Sequence, residues 1–373
     1  MSHLFKPFTI KGVTLRNRIV ASPMCLYSAN EGVIGPWHHA HLSQLAAGGA
    51  GLVVFEMSAV SPEGRLTWGD SGLWNDEQMT ALKPAVAAIK ADGAVPGIQL
   101  GHAGRKASAN RPWEGDNQIA DDAPNGWPII APSPLAFGGD NLWKTPVEMG
   151  LDDIARVQGD FVAAARRGRD AGFEYLELHF GHGMLAQSFF STYSNHRRDE
   201  YGGSLDNRAR FLLETIAAVR GVWPEELPLA IRFGVIEYDG RDEETLAESI
   251  EVIKQAKGVG LDFLSVSVGF STMTADIPWG PAFMAPVAER VRREVGLPVA
   301  VAWGMGIPQL AEDAVRSGQA DLVKVGRALL ANPHWPYVAA AALGVERPSW
   351  ATLPAPYAYW LERYHPESGV APV

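Results

Sequence analysis

The stretch LDDIARVQGDFVAAARRGRDAGFEYLELH, Leu151 to His179, holds one whole unit of the fold. Leu151 to Ala171 reads as a helix, with acids at its start and bases near its end, as the helix dipole favours. Tyr175 to His179 then reads as a short buried strand. The same alternation runs along the chain. The other candidate strands are Arg18 to Met24, Gly51 to Met57, Val95 to Leu100, Leu229 to Val235, Phe263 to Val268, Pro298 to Ala302 and Asp321 to Val325. Most are near-continuous apolar runs, as strands covered on both faces are. Ala81 to Lys90, Asn207 to Val222, Glu243 to Ala256, Ala285 to Glu294 and Ile307 to Ser317 are further helical patterns. Eight strands alternating with helices predict an α/β protein, a TIM (β/α)8 barrel, with residues 1–373 as a single domain. A doubly wound sheet is the alternative. It is disfavoured because no G-x-G-x-x-G opens the first strand–helix unit.

Two segments interrupt the pattern. Residues 101–148, rich in Pro, Gly, Asn, Asp and Trp, form a long loop or hairpin inserted after strand three, at the face where barrels place their chemistry. Residues 348–373 form a tail whose WATLPAPYAYWLERY is too aromatic to hang free, and it is expected to pack on its own barrel or on a neighbouring subunit.

The chain has 373 residues, 42 acidic and 32 basic, a net charge of −10. That balance argues against nucleic acid or a membrane surface as partner. No apolar run is long enough to span a bilayer, and the N-terminus shows no secretory signal. One cysteine, Cys25, permits no internal disulfide, and a cytoplasmic location is expected.

The polar residues gather at strand ends. Strand one ends in Ser22-Pro23-Met24-Cys25, strand three carries Gln99, strand four ends at His179, strand seven in Trp303-Gly304-Met305-Gly306, and strand eight in Gly326-Arg327. Arg232 lies inside the apolar fifth strand, where a buried cation needs an anion or an electron-rich ligand. The glycine-bearing loops after strands seven and eight, with Arg327, suit a phosphate. His179 and His182 follow strand four in HFGHG. They read as metal ligands, as a structural pair, or as two neutral donors to one ligand oxygen. The last is preferred, because no carboxylate or cysteine stands nearby at ligand spacing. No metal is expected. His38-His39-x-His41, on a helix after strand one, reads as structural, and Cys25 as either an inert thiol or one that contacts a ligand.

These residues sit in familiar motifs. LFKPFTIKGVTLRNRIVASPMCLYS (4–28), GIQLGHAGRKA (97–107), HFGHG (179–183), SNHRRDEYGGSLDNRARF (194–211) and DLVKVGRALLANPHW (321–335) resemble the old yellow enzyme family of FMN-dependent ene-reductases. With SANRPWEG (108–115) and the aromatic tail, the chain is most similar to the xenobiotic reductase A class. The resemblance covers nearly the whole chain. It implies FMN as cofactor and NADPH or NADH as reductant. Ser22, Pro23, Met24 and Cys25 would back the flavin, Gln99 would meet its pyrimidine side, and Arg232 its N1–O2 edge. Gly304, Met305, Gly326 and Arg327 would hold the phosphate. His179 and His182 would bind the oxygen of an activated alkene or nitro substrate. Tyr27, Trp303 and Trp360 would shape the pocket, and Trp360 would reach a neighbour's site in a homodimer. Hydride would pass from the reductant to flavin N5 and on to the alkene.

Two positions depart from the family pattern. The tyrosine that donates a proton two residues after the second histidine is replaced by Met184, whose thioether has no proton to give. Water or Tyr27 would then supply it. Met57, placed just after strand two, stands where a small residue is usual; it is either turned away or narrows the flavin site. The rival readings are a flavin barrel acting mainly on quinones, nitro-esters or nitroaromatics, a metal-dependent barrel hydrolase, and a flavin-binding protein without catalysis.

Overall fold

In the computed structural model, which describes residues 2–364, eight parallel strands close into a barrel. They are β1 (Ile19–Ala21), β2 (Leu52–Ala59), β3 (Val95–Gly101), β4 (Tyr175–Phe180), β5 (Leu229–Ile236), β6 (Phe263–Val268), β7 (Val299–Val301) and β8 (Leu322–Val325). The ring runs in sequence order, with β8 pairing β1. The helices are α1 (Pro36–Ala47), α2 (Asp76–Ala91), α3 (Leu151–Ala171), α4 (Leu185–Phe190), α5 (Leu205–Arg220), α6 (Asp242–Gly258), α7 (Ala285–Val295), α8 (Pro308–Arg316), α9 (Arg327–Ala331), α10 (Trp335–Ala342), α11 (Pro348–Thr352) and α12 (Ala355–Leu361). A hairpin, Phe8–Ile10 with Val13–Leu15, precedes β1.

Local chemistry explains the boundaries. α3 keeps the expected limits: Asp152 and Asp153 lie in its first turn, Arg169 in its last, and Gly172 caps it at φ 96°, a conformation that favours glycine. α2 starts at Asp76 rather than Ala81. The Asn75 side chain accepts from Gln78 N at 2.9 Å while Gln78 Oε1 accepts from Asn75 N at 3.2 Å, a capping box the apolar periodicity does not reveal. β1 is shorter than expected because the chain leaves the sheet at Ser22, ahead of Pro23, which has no N–H for a ladder. β2 runs two residues past the expected end at Met57, to Ala59, with an irregular register between Phe55 and Met57, so Met57 lies inside the strand.

Each strand is buried on both faces, and polarity separates them. Leu176, Leu178, Phe180, Ile231 and Phe233 join the large core facing the helices. Tyr175, Ala230, Phe263, Ala300 and Leu322 form an inner cluster with Ile10, Val13 and Leu15 of the hairpin, which plugs the barrel's lower end. Moving up the inward stripe two residues at a time, apolar gives way to charge: Tyr175, Glu177, His179 on β4, Ala230, Arg232 on β5, and Leu322, Lys324 on β8.

The insertion has no hairpin at its base. Ile130–Ala131 pairs in parallel with Val147–Glu148. Buried Lys144 fastens it, donating from Nζ to Ser108 Oγ at 3.1 Å, Ile119 O at 2.9 Å and Trp127 O at 2.7 Å. In the tail, Leu353 and Ala358 pack inward, while Trp350, Tyr357, Tyr359, Trp360 and Tyr364 face out. Residues 365–373 of the tail lie outside the described residues.

Candidate active site

A cavity of about 730 Å³ opens where the strands end. Its wall includes Ser22, Pro23, Met24, Cys25 and Tyr27 after β1, Gln99 on β3, and His179, His182 and Met184 on and after β4. Arg232, Trp303, Gly304, Met305, Gly306, Gly326 and Arg327 complete the expected set. Two expected residues are absent from the wall. Met57 is buried among Ala103, Ala107, Ile129 and Met184, on the insertion side. It packs directly behind the wall, in the same cluster as the cavity-lining Met184, Cys25 and Leu66. Trp360 on α12 is 64% exposed and does not line the cavity of its own chain.

The histidine rings stand 4.8 Å apart, nearly perpendicular at 85°. His182 Nε2 lies 2.7 Å from Ser267 Oγ on β6, and the same oxygen accepts from Trp303 Nε1 at 3.4 Å, which leaves its O–H to donate. Nδ1 of His179 is buried and has no partner among the described residues. Burial and then Arg232 push His179 down to about 3 and hold His182 well below the ordinary imidazole value. Both rings are therefore neutral at physiological pH and carry one N–H each; where the Ser267 O–H donates to His182 Nε2, the His182 proton sits on Nδ1, free for a ligand. Among the described residues no cluster of three or more metal-ligating side chains forms.

A charged floor lies beneath them. Glu177 Oε2 accepts from Lys324 Nζ at 2.5 Å, Ser265 Oγ at 2.6 Å and Tyr175 OH at 3.2 Å, while Oε1 accepts from Gln99 Nε2 at 2.6 Å. Burial alone would raise this carboxyl, but Lys324 and Arg232 hold it down at about 2. Arg232 Nε is buried without a partner among the described residues. Burial pushes the Cys25 thiol up, so it is a protonated thiol rather than a thiolate.

Behind the β1 loop stands the histidine cluster. His38 is buried on α1, with Nε2 3.3 Å from Glu56 Oε1. Glu56 Oε2 accepts from Leu26 N at 2.6 Å and so holds the loop between Cys25 and Tyr27. His38 supports the wall from behind, in keeping with a structural role.

Lys324, Trp279, Phe283 and Leu66 also line the cavity, and the sequence reading misses them. Lys324 and Glu177 carry the same signal as Arg232, a charge inside an apolar strand. Trp279 and Phe283 come from the loop after β6, and they close on Trp303 at 5.5 and 6.3 Å between ring centres. No periodicity marks that loop as part of the site.

The comparisons agree with this geometry. The family described as NADH:flavin oxidoreductase / NADH oxidase matches residues 3–345. An NADPH dehydrogenase of Geobacillus thermodenitrificans (strain NG80-2) is 41% identical over 345 residues, 92% of this chain and 95% of that protein. Morphinone reductase in complex with tetrahydroNAD aligns with a TM-score of 0.76 and 27% identity, over 93% of this chain and 92% of that one. The old yellow enzyme homologue from Zymomonas mobilis aligns with a TM-score of 0.77 and 25% identity, over 92% and 93%. The barrel, the strand-end cavity and a match over most of the chain lead to one conclusion: this protein belongs to the old yellow enzyme family of FMN-dependent oxidoreductases.

Proposed function

We propose that the protein is an NADPH-dependent reductase of activated alkenes, α,β-unsaturated carbonyl and nitro compounds, with FMN in the strand-end cavity. The observation that carries this reading is the pair of neutral imidazoles, 4.8 Å apart, above a floor holding the unpartnered Arg232. The residues fit the cofactor. A flavin's electron-rich edge would offset the buried charge of Arg232, which lines the cavity and whose Nε has no partner among the described residues. Gln99 Nε2 is committed to Glu177, which leaves its carbonyl oxygen to accept, and it would meet a ring N–H of the cofactor. Gly304, Met305, Gly326 and Arg327 would hold the phosphate, and Ser22 to Cys25 would back the ring.

FMN, when bound, supplies the hydride chemistry, taking it from NADPH and passing it to the substrate. The protein binds, orients and donates. His179 and His182 give hydrogen bonds to the substrate's carbonyl or nitro oxygen and stabilise charge growing there. Neutrality suits them to this: they polarise the oxygen without surrendering a proton to solvent. Trp303, Trp279 and Phe283 form an aromatic wall that would flank the bound substrate. Met184 packs at the wall without a proton, so the α-carbon is protonated by water or by Tyr27. Burial pushes the Tyr27 phenol up, which keeps it protonated.

The same methionine favours a second reading, in which quinones, nitro-esters or nitroaromatics are the main substrates, since they depend least on a positioned acid. In solution we expect a homodimer in the cytoplasm, with Trp360 near the partner's site. Anaerobic stopped flow tests the whole reading. NADPH should bleach a yellow protein, and 2-cyclohexenone should restore the colour. Flavin that NADPH cannot bleach would overturn it; bleaching followed by reoxidation with quinones alone would select the second reading.

A further inference from the structure

Lys324 is the least expected residue in the cavity wall. It lies on β8, flanked by Val323 and Val325, and its side chain is almost wholly buried. Its partner Glu177 is on β4, four strands away in either direction around the ring, so the pair bridges the barrel's interior. A buried ion pair is a weak stabilising device, and apolar side chains of equal volume often serve as well or better. The pair's position at the cavity floor points to another purpose.

We infer that Lys324 is a second cofactor-facing cation beside Arg232, and that Glu177 is a positioning residue that sets the net charge beneath the flavin and orients Gln99. This rests on the reading of the cavity as an FMN site. Arg232 and Lys324 both line the cavity and Glu177 supplies the nearest buried carboxylate between them, so the floor keeps one net positive charge. Such a charge favours the reduced flavin, which is the more electron-rich form. Glu177 also receives Gln99 Nε2, so its carboxylate decides which end of that amide faces the ring.

The test is the midpoint potential of bound FMN in four proteins: wild type, Lys324→Met, Glu177→Gln and the double variant. Measured at pH 6, to keep Lys324 protonated when its partner is lost, removing the lysine charge should lower the potential and removing the glutamate charge should raise it. Each tenfold change in preference for the reduced flavin is about 30 mV. The double variant, with the original net charge, should return close to wild type. Titration of each apo-protein with FMN gives a second readout: Glu177→Gln frees Gln99 to flip and should weaken binding of oxidised FMN several-fold, whereas Lys324→Met leaves Gln99 in place. If Lys324→Met does not fold, the double variant against Glu177→Gln gives the same one-charge comparison. Single variants that shift the potential in the same direction, or leave it unmoved with FMN bound, would overturn the inference. A wild-type protein that binds no FMN would instead remove the reading beneath it.

Discussion

Lys106 Nζ donates to the backbone carbonyl of His182 at 2.7 Å and to that of Phe270 at 3.0 Å. Both acceptor residues sit in the left-handed region, His182 at φ 57° and Phe270 at φ 52°, which side chains other than glycine rarely adopt. Lys106 Nζ, which burial lowers to about 7, therefore holds a strained histidine at the cavity and ties the β4 loop to the β6 loop.

Lys106→Met should release that hold. A buried acceptor left unpaired costs about 1–3 kcal/mol. We expect a lower melting temperature, and a fall of roughly tenfold in kcat/KM for 2-cyclohexenone, while the rate of flavin reduction by NADPH changes little. An unchanged enone kcat/KM would show that His182 keeps its place without the lysine.

Met184→Tyr should restore a proton donor two residues beyond His182. General acid catalysis is worth ~10²–10⁴-fold, so turnover of weakly activated alkenes should rise and quinone turnover should not. Stopped-flow measurement of the two half-reactions separates the effects. A 2-cyclohexenone rate equal to wild type would show that the missing donor is not limiting.

Met57→Ala probes the other departure. Because Met57 packs among Ala103, Ala107, Ile129 and Met184, its truncation should cost about 2–5 kcal/mol of stability. FMN affinity, measured by fluorescence quenching, should stay within a few-fold of wild type. A large gain in affinity would mean that the side chain does crowd the flavin.

Acid should destabilise the protein well above the pH at which carboxylates titrate. Burial lowers His102 to about 4 and His179 to about 3, and His182 lies well below its ordinary value. The unfolded chain takes up these protons near pH 6.5 and the folded one does not, so stability is present above that pH and falls as pH drops toward 4. The melting temperature should fall by on the order of 10 °C from pH 7 to pH 4.5. In the same range, no inflection near pH 6.5 should appear in enone binding. A flat melting profile would mean that the imidazoles are less buried than the structure places them.

Arg232, His179 and Gln99 were legible from sequence because strand order and strand ends already place residues at a barrel's mouth. Met57, Trp279 and the Lys324 pairing were not. Strands buried on both faces show no exposed edge from which to read direction, and the irregular register between Phe55 and Met57 resets the alternation beyond it. Trp279 lies in a loop without periodicity, so only the folded chain brings it to Trp303. Trp360 is exposed on its own chain, the placement that reaching a neighbour's site requires.

The sequence by itself determined the alternating strands and helices, the family, and the chemistry available at each strand end, because these depend on local pattern and on motifs contiguous in the chain. Only the tertiary structure decided which charges meet. Glu177 and Lys324 lie 147 residues apart and come together because the ring of eight strands closes. Across that ring the inward side chains of opposite strands are neighbours, a relationship that no local pattern encodes.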